Sequence, residues 1–263
     1  MARYTFNTVE YPGYSTINDQ LAKPALIGWA ASTAVDYCKE HKDDADVFEN
    51  AKKEWREAGK KAMDIGSEIH HLIEQYLKDG KDVDFTEKRP EVVQGFTAFL
   101  KWDNENGCEW LETEKPVVSE DYGYAGTLDA ICKFTKGKLA GKIYVIDFKS
   151  SKAIYPEYAT QIIAYAQART ECNGRSYDLT FKETIEVNGQ KEEKVSEYTV
   201  EYPVVEIDGV AILRLDKTTG LPEFKDMSKN YDTKLRAFLQ LVKFYYFDKK
   251  RRLKNNAFVK EAW

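Results

Sequence analysis

At Asn106-Gly107 the apolar period of the chain switches from about 3.6 residues to 2, which divides it into a helical part and a sheet-forming part. Upstream, helical spacing covers 30–42, then 46–78 with a break expected near Gly59 or Gly66, then 90–104. Val93, Phe96, Phe99 and Leu100 form the apolar stripe of the last of these. Downstream, 110–118, 124–134 and 143–149 read as strands joined by turns at 119–123 and 136–142. A helix opening at Tyr155-Pro156-Glu157 then runs to about Glu171. The order helix, three strands, helix predicts an α/β architecture.

The flanks are less regular. Residues 1–30 read as irregular, with a turn at Tyr11-Pro12-Gly13-Tyr14 and a short helix opening near Pro24. Asn188-Gly189 carries a hairpin signal inside a Lys/Glu-rich stretch, 209–215 reads as a further core strand, and 229–254 as a closing helix. A chain of 263 residues suits one core with an insertion. The expectation is a single domain over 1–263: a helical part (1–108), a strand–helix part (109–172), a β insertion with a core strand (173–228) and a C-terminal helix (229–263).

Composition removes several classes. A hydrophobic content of 43% with 13% aromatics excludes wholesale disorder. No apolar run approaches membrane-spanning length and the N-terminus has no secretory h-region, so a soluble, cytoplasmic protein with no membrane partner is expected. Cys38, Cys108, Cys132 and Cys172 are scattered with no C-x-x-C pair, which argues against a zinc ribbon or a closely spaced iron–sulfur clip. With only His41, His70 and His71, a His-rich metal site is excluded as well. The net charge of −5 argues against coating nucleic acid by bulk attraction but leaves room for a metal site built from acids.

The strand Tyr144-Val145-Ile146-Asp147-Phe148-Lys149 places Asp147 and Lys149 on one face. A carboxylate that can hold a cation beside an ammonium that can orient a water is the minimal kit for metal-assisted phosphodiester hydrolysis. The acid-x-Lys spacing recurs six times elsewhere in a chain that is 32% charged, but only this copy closes a run of β-formers. Asp129 stands in an otherwise apolar strand, either sharing a metal with Asp147 or facing outward on an edge. Gly126 beside it would admit close approach of backbone or substrate. Glu112 and Glu114 share a face by parity; Glu114 is the choice for a further acidic or water-mediated ligand, and a solvated strand face explains both. Gly66 and His70, one helical turn apart, would make room for an imidazole ligand; Gln161 and Tyr165 repeat that spacing on the later helix. Each of these pairs is also ordinary for a half-buried helix.

Taken in order, Gly66-x-x-x-His70, Asp129, Asp147-x-Lys149 and Gln161-x-x-x-Tyr165 resemble the PD-(D/E)XK nuclease superfamily. More narrowly they are similar to the branch holding the RecB nuclease domain, the CRISPR-adaptation nucleases and the mitochondrial genome maintenance exonuclease. The opening around Ser15-Thr16-Ile17 and 23–30 is similar to its phage and prophage members. The resemblance implies a restriction-endonuclease-like αβββαβ core, a mixed sheet flanked by helices, with an N-terminal helical region and a β-hairpin insertion. It implies His70, Asp129, Asp147 and the Phe148 carbonyl as ligands of one or two Mg²⁺ or Mn²⁺ ions. Lys149 would position the attacking water, and Gln161 and Tyr165 would support substrate. Branch members with an iron–sulfur cluster carry a cysteine trio near the C-terminus; it is missing here, so no cluster is expected and the CRISPR-adaptation reading is disfavoured.

The function so implied is a metal-dependent DNA exonuclease acting on linear single- or double-stranded DNA in recombination, repair or processing, in a bacterial or phage-infected cell. A single-strand annealing protein and a homo-oligomer are the partners it suggests. The alternatives are an endonuclease or a catalytically silent nucleic-acid-binding module of the same fold. Tyr14, Trp29, Trp55 and Phe244-Tyr245-Tyr246-Phe247 followed by Lys249-Lys250-Arg251-Arg252 could serve as stacking and basic elements. Helical spacing of Leu235, Phe238, Leu239, Val242 and Tyr246 favours core positions for most of the C-terminal rings.

Overall fold

In the computed structural model, which describes residues 3–80, 83–187 and 190–248, helices and strands alternate around two sheets. In chain order the elements are β1 (Arg3–Phe6), β2 (Val9–Tyr11), α1 (Tyr14–Asn18), α2 (Pro24–Glu40), α3 (Val47–Asp79) and α4 (Pro90–Asn106). Then follow β3 (Cys108–Ser119), β4 (Tyr124–Phe134), β5 (Ile143–Lys149), α5 (Glu157–Cys172), β6 (Ser176–Val187) and β7 (Gln190–Glu201). The last three are β8 (Gly209–Leu215), β9 (Pro222–Asp226) and α6 (Tyr231–Asp248).

The period switch falls where the sequence places it, and local chemistry explains the sharp boundary. Pro90 starts α4 in the first turn, where its missing N–H costs nothing. Gly107 ends it at φ +59, with its N–H bonded to the Asp103 carbonyl, a left-handed cap that suits a residue without Cβ. The strands that follow build a five-stranded mixed sheet of order β3-β4-β5-β8-β9. β3, β4 and β5 are antiparallel neighbours, β5 and β8 run parallel, and β9 closes the edge antiparallel. The parallel pair needs a crossover, which α5 supplies.

Both faces of this sheet are covered, as the near-continuous apolar runs of β5 and β8 require. On one side Ile146, Phe148 and Leu213 pack with Ile69 and Leu72 of α3 and Phe96 and Phe99 of α4. On the other, Val145, Ile131 and Ile212 pack with Ile162 and Ile163 of α5 and Phe238 and Val242 of α6. A small antiparallel sheet of order β2-β1-β6-β7 joins that second core through Tyr4, Phe6 and Leu179. No helix among the described residues is long and apolar enough to cross a membrane.

Four expectations change. Residues 3–30 are not irregular: β1 and β2 form a hairpin through Asn7 (φ +53), and β1 pairs with β6, so the predicted β-hairpin insertion is half of a second sheet. Pro24 opens a helix that runs unbroken to Glu40. Strand β9 follows the Thr218–Gly220 turn, where no strand was expected. Helix α3 continues through Gly59 and Gly66, because both glycines admit neighbours rather than break the helix: a Cβ at Gly59 would rest on Trp29, and one at Gly66 would crowd the Ser150 hydroxyl at 3.1 Å. Gly66 therefore makes room for Ser150, not for the imidazole. The tip residues Asn188 and Gly189 and the basic run 249–252 lie outside the described residues, as does the expected helix beyond Asp248.

Candidate metal centre

β4 and β5 pair only from Ala130–Ile146 to Lys133–Ile143 and then diverge, which opens the sheet beside Asp129 and Asp147. Asp129 bridges the gap, its Oδ2 accepting the Phe148 N–H at 2.7 Å. From α3, the His70 ring reaches the same gap. Its Nε2 lies 3.1 Å from the Phe148 carbonyl, so His70 Nε2–H donates there, while Nδ1 faces Asp129 at 3.7 Å and Glu114 at 3.9 Å. One ligand atom each from His70, Glu114 and Asp129 falls within 4.8 Å of the others, so this group could hold a metal ion.

Glu114 gets there through an irregular backbone. A bulge at Leu111 shifts the β3–β4 register, and Glu114 itself sits at φ +44. Parity put Glu112 and Glu114 on one face; the structure separates them. Glu112 turns to α5, where it takes two hydrogen bonds from the buried Arg169 guanidinium (2.7 and 2.8 Å), and Glu114 turns to His70 on the other side. Left-handed backbone at a non-glycine costs about 1–2 kcal/mol. Glu114→Gly is therefore expected to be more stable than Glu114→Ala by about 1 kcal/mol, while both bind Mn²⁺ more weakly than the wild type. Thermal denaturation and Mn²⁺ titration check the two halves separately.

Asp147 is 1% exposed, and neither carboxylate oxygen accepts an aligned hydrogen bond. The Lys149 ammonium stands 2.5 Å from Oδ2 as an ion pair without hydrogen-bond alignment. Burial pushes the Asp147 carboxyl up to about 6, against the pull of Lys149. Burial also raises Asp129, opposed by His70 and Lys149. For His70 burial acts downward, but Asp129 and Glu114 outweigh it and lift the ring to about 9. Three carboxylates thus face one lysine and one histidine, with Asp147 buried and His70 and Glu114 half-buried, a charge set that a divalent cation would balance with His70 neutral. A buried carboxylate ion-paired with Lys149, next to a His/Glu/Asp donor set, fits a hard oxygen-preferring ion.

The structure brings His70, Glu114, Asp129, the Phe148 carbonyl, Asp147 and Lys149 to one place. The second pair lies near the acids: burial, with the Asp147 and Asp129 charges, pushes the Tyr165 hydroxyl well above its ordinary value. Gln161 Nε2 donates to the Tyr165 hydroxyl at 3.3 Å, and the Tyr165 ring fills the space over Gly126, where a Cβ would collide with it. Gly126 therefore serves a tyrosine, not substrate. Tyr14, named above as a stacking element, is buried against Tyr165 and Phe238. Sequence reasoning missed Tyr158, whose ring holds the Lys149 ammonium 5.2 Å from its centroid, and Lys217, which enters from the β8–β9 turn. Neither carries a sequence signal, because both reach the site by tertiary packing. Together with Met63, Ser67 and Ser150 they line an open groove of about 680 Å³ over His70 and Glu114.

No family model and no curated protein matches the chain.

Proposed function

We propose that the chain is a divalent-metal-dependent deoxyribonuclease of the PD-(D/E)XK type that degrades linear DNA from an end. One observation carries the reading: His70, Glu114 and Asp129 converge in an open groove beside a buried Asp147 ion-paired with Lys149. The frame agrees with it, since helix, three antiparallel strands, crossover helix and parallel strand is the αβββαβ order of restriction-endonuclease-like folds. The exonucleolytic mode rests on the motif resemblance.

His70, Glu114 and Asp129 would hold Mg²⁺ or Mn²⁺, with Asp147 and the Phe148 carbonyl at hand for the same or a second ion. The ion would supply Lewis-acid chemistry, lowering the pKa of water and neutralising phosphate charge. Lys149, held charged by Asp147 and Asp129 despite burial, would donate to a phosphate oxygen and steady the incoming water. Lys217 would add a cation at the groove wall. The Phe148 N–H fixes Asp129, so the carboxylate needs no reorganisation when the ion and substrate arrive.

Tyr158 acts through Lys149. Tyr158→Ala is expected to lower kcat about fivefold, the equivalent of a ~1 kcal/mol cation–π contact, whereas Tyr158→Phe keeps the ring and most of the rate. Single-turnover kinetics on one labelled oligonucleotide separates the two.

The reading is tested with 5′- and 3′-labelled linear DNA, single- and double-stranded, and with closed circles, in Mg²⁺, Mn²⁺ or EDTA. Metal-dependent loss of linear DNA with circles intact is expected. Cutting of circles would make the protein an endonuclease, and DNA binding without cleavage in any metal would make it a silent module.

A further inference from the structure

The first half of α3 runs out from the groove packed against α2 on one side, and its other side carries a row of basic residues. Positions 53, 56, 60, 63, 67 and 70 follow the 3,4,3,4,3 spacing of one helical face. They are Lys53, Arg56, Lys60, Met63, Ser67 and His70. The three basic residues are exposed, and none has an ion-pair partner among the described residues. Glu57 and Asp64 stand one turn on from Lys53 and Lys60, at the margin of this face, while Glu54 lies further round and Glu68 is already paired with Arg89. Glu49, at the far end of the basic face, is neutralised by Lys52. In a chain of net charge −5, a basic track that ends at the proposed metal ligand runs against the bulk sign.

The track also carries apolar contact surface. The Arg56 guanidinium lies over the Trp55 ring, 5.1 Å from its centroid. Trp55 is 37% and Met63 67% exposed, so both offer faces to solvent. Duplex DNA would present only its phosphates to such a helix, whereas a single strand also offers unpaired bases to Trp55 and Met63. At 1.5 Å per residue, Lys60, Arg56 and Lys53 lie roughly 15, 21 and 26 Å along the axis from His70. A stacked strand with about 3.4 Å between phosphates would need roughly eight nucleotides to reach the last of them.

We propose that this face of α3 is a binding track for single-stranded DNA, with Lys53, Arg56 and Lys60 on phosphates along the strand, Met63 against bases on the same face and Trp55 against bases at its edge. The proposal rests on the nuclease reading and adds where the strand lies and how much of it is gripped. The test compares the wild type with a Lys53→Gln/Arg56→Gln/Lys60→Gln variant and, as a control, Glu54→Gln/Glu57→Gln. Binding of fluorescein-labelled oligothymidylates of 4, 8 and 16 nucleotides is measured in EDTA across a salt series, and cleavage of the same strands in Mn²⁺.

For the wild type, affinity should climb steeply from 4 to 8 nucleotides and level off beyond. The triple variant should bind the 8-mer at least tenfold more weakly, with a log–log salt slope about 2 units shallower, as loss of three single-strand phosphate contacts requires. Its ratio of 16-mer to 4-mer cleavage should fall to match, while the Glu54→Gln/Glu57→Gln control shows no reduction in slope. Unchanged affinity and slope in the triple variant, with the wild type still degrading DNA, would overturn the track and leave the nuclease standing. A wild type that cuts nothing in any metal would instead bring down the nuclease reading, and the track with it.

Discussion

Asp147→Asn should abolish metal-dependent hydrolysis, by at least about a thousandfold, while the cation-free protein becomes more heat-stable at pH 7.5. The first half follows from the proposed site: Asp147 holds Lys149 at 2.5 Å and supplies a buried charge that the proposed cation would balance. The second follows from linkage. The folded carboxyl titrates near 6, above its ordinary value of about 4, so the folded state binds the extra proton between those values. Its stability therefore falls as pH rises through that window, and above it the full penalty of a buried charge remains. Asparagine removes the penalty, and Asp129 still faces Lys149. The gain in Tm should be large at pH 7.5 and small at pH 4.5. Equal Tm values for the two proteins at both pH values would show that the ion pair with Lys149 already offsets the cost.

Arg169→Met should be the most damaging substitution outside the site, at about 3–5 kcal/mol, the usual cost of stranding one charge of a buried pair. Arg169 is fully buried. Besides its two bonds to Glu112 it donates to Asn173 Oδ1 at 2.6 Å and to the Pro203 carbonyl at 2.9 Å, tying β3, the end of α5 and the segment before β8 together. In the single variant Glu112 stays buried with no countercharge. Glu112→Leu/Arg169→Met removes both charges and should recover most of the loss. Urea unfolding at constant m value reads both effects; a single-variant loss below about 1 kcal/mol would mean that water reaches Glu112.

What could be read from sequence was what depends on local period. α4, β4, β5, α5 and β8 lie within a few residues of their expected places because each has its own stripe or alternation and its own stop signal. The β1–β2 hairpin was missed although Tyr4-x-Phe6 and Val9-x-Tyr11 alternate around Asn7-Thr8. Its stability comes from pairing with β6, and a register such as Thr5 opposite Thr180 leaves no local trace. Parity failed at Glu112 and Glu114 for a related reason: one left-handed residue, Glu114 at φ +44, turns a side chain to the other face without changing the spacing. Asp129 could be picked out as an acid in an otherwise apolar strand and Asp147 and Lys149 as a pair on one strand face, whereas His70 had only its spacing from Gly66 and its place in the motif order. Tyr158, Lys217 and Arg169 sit on half-polar stretches and acquire their roles only when distant elements meet.

The central claim is that Lys149 and the acidic cluster hydrolyse phosphodiesters with a divalent ion, and Lys149→Met addresses it most directly. The measurement is hydrolysis of one labelled linear single strand by wild type and variant in Mn²⁺ and in EDTA, with Mn²⁺ binding titrated in parallel. The account predicts degradation by the wild type in Mn²⁺ and none in EDTA; the variant should bind Mn²⁺ yet leave the strand intact. A wild type inert in Mn²⁺, or a variant as fast as the wild type, would contradict it.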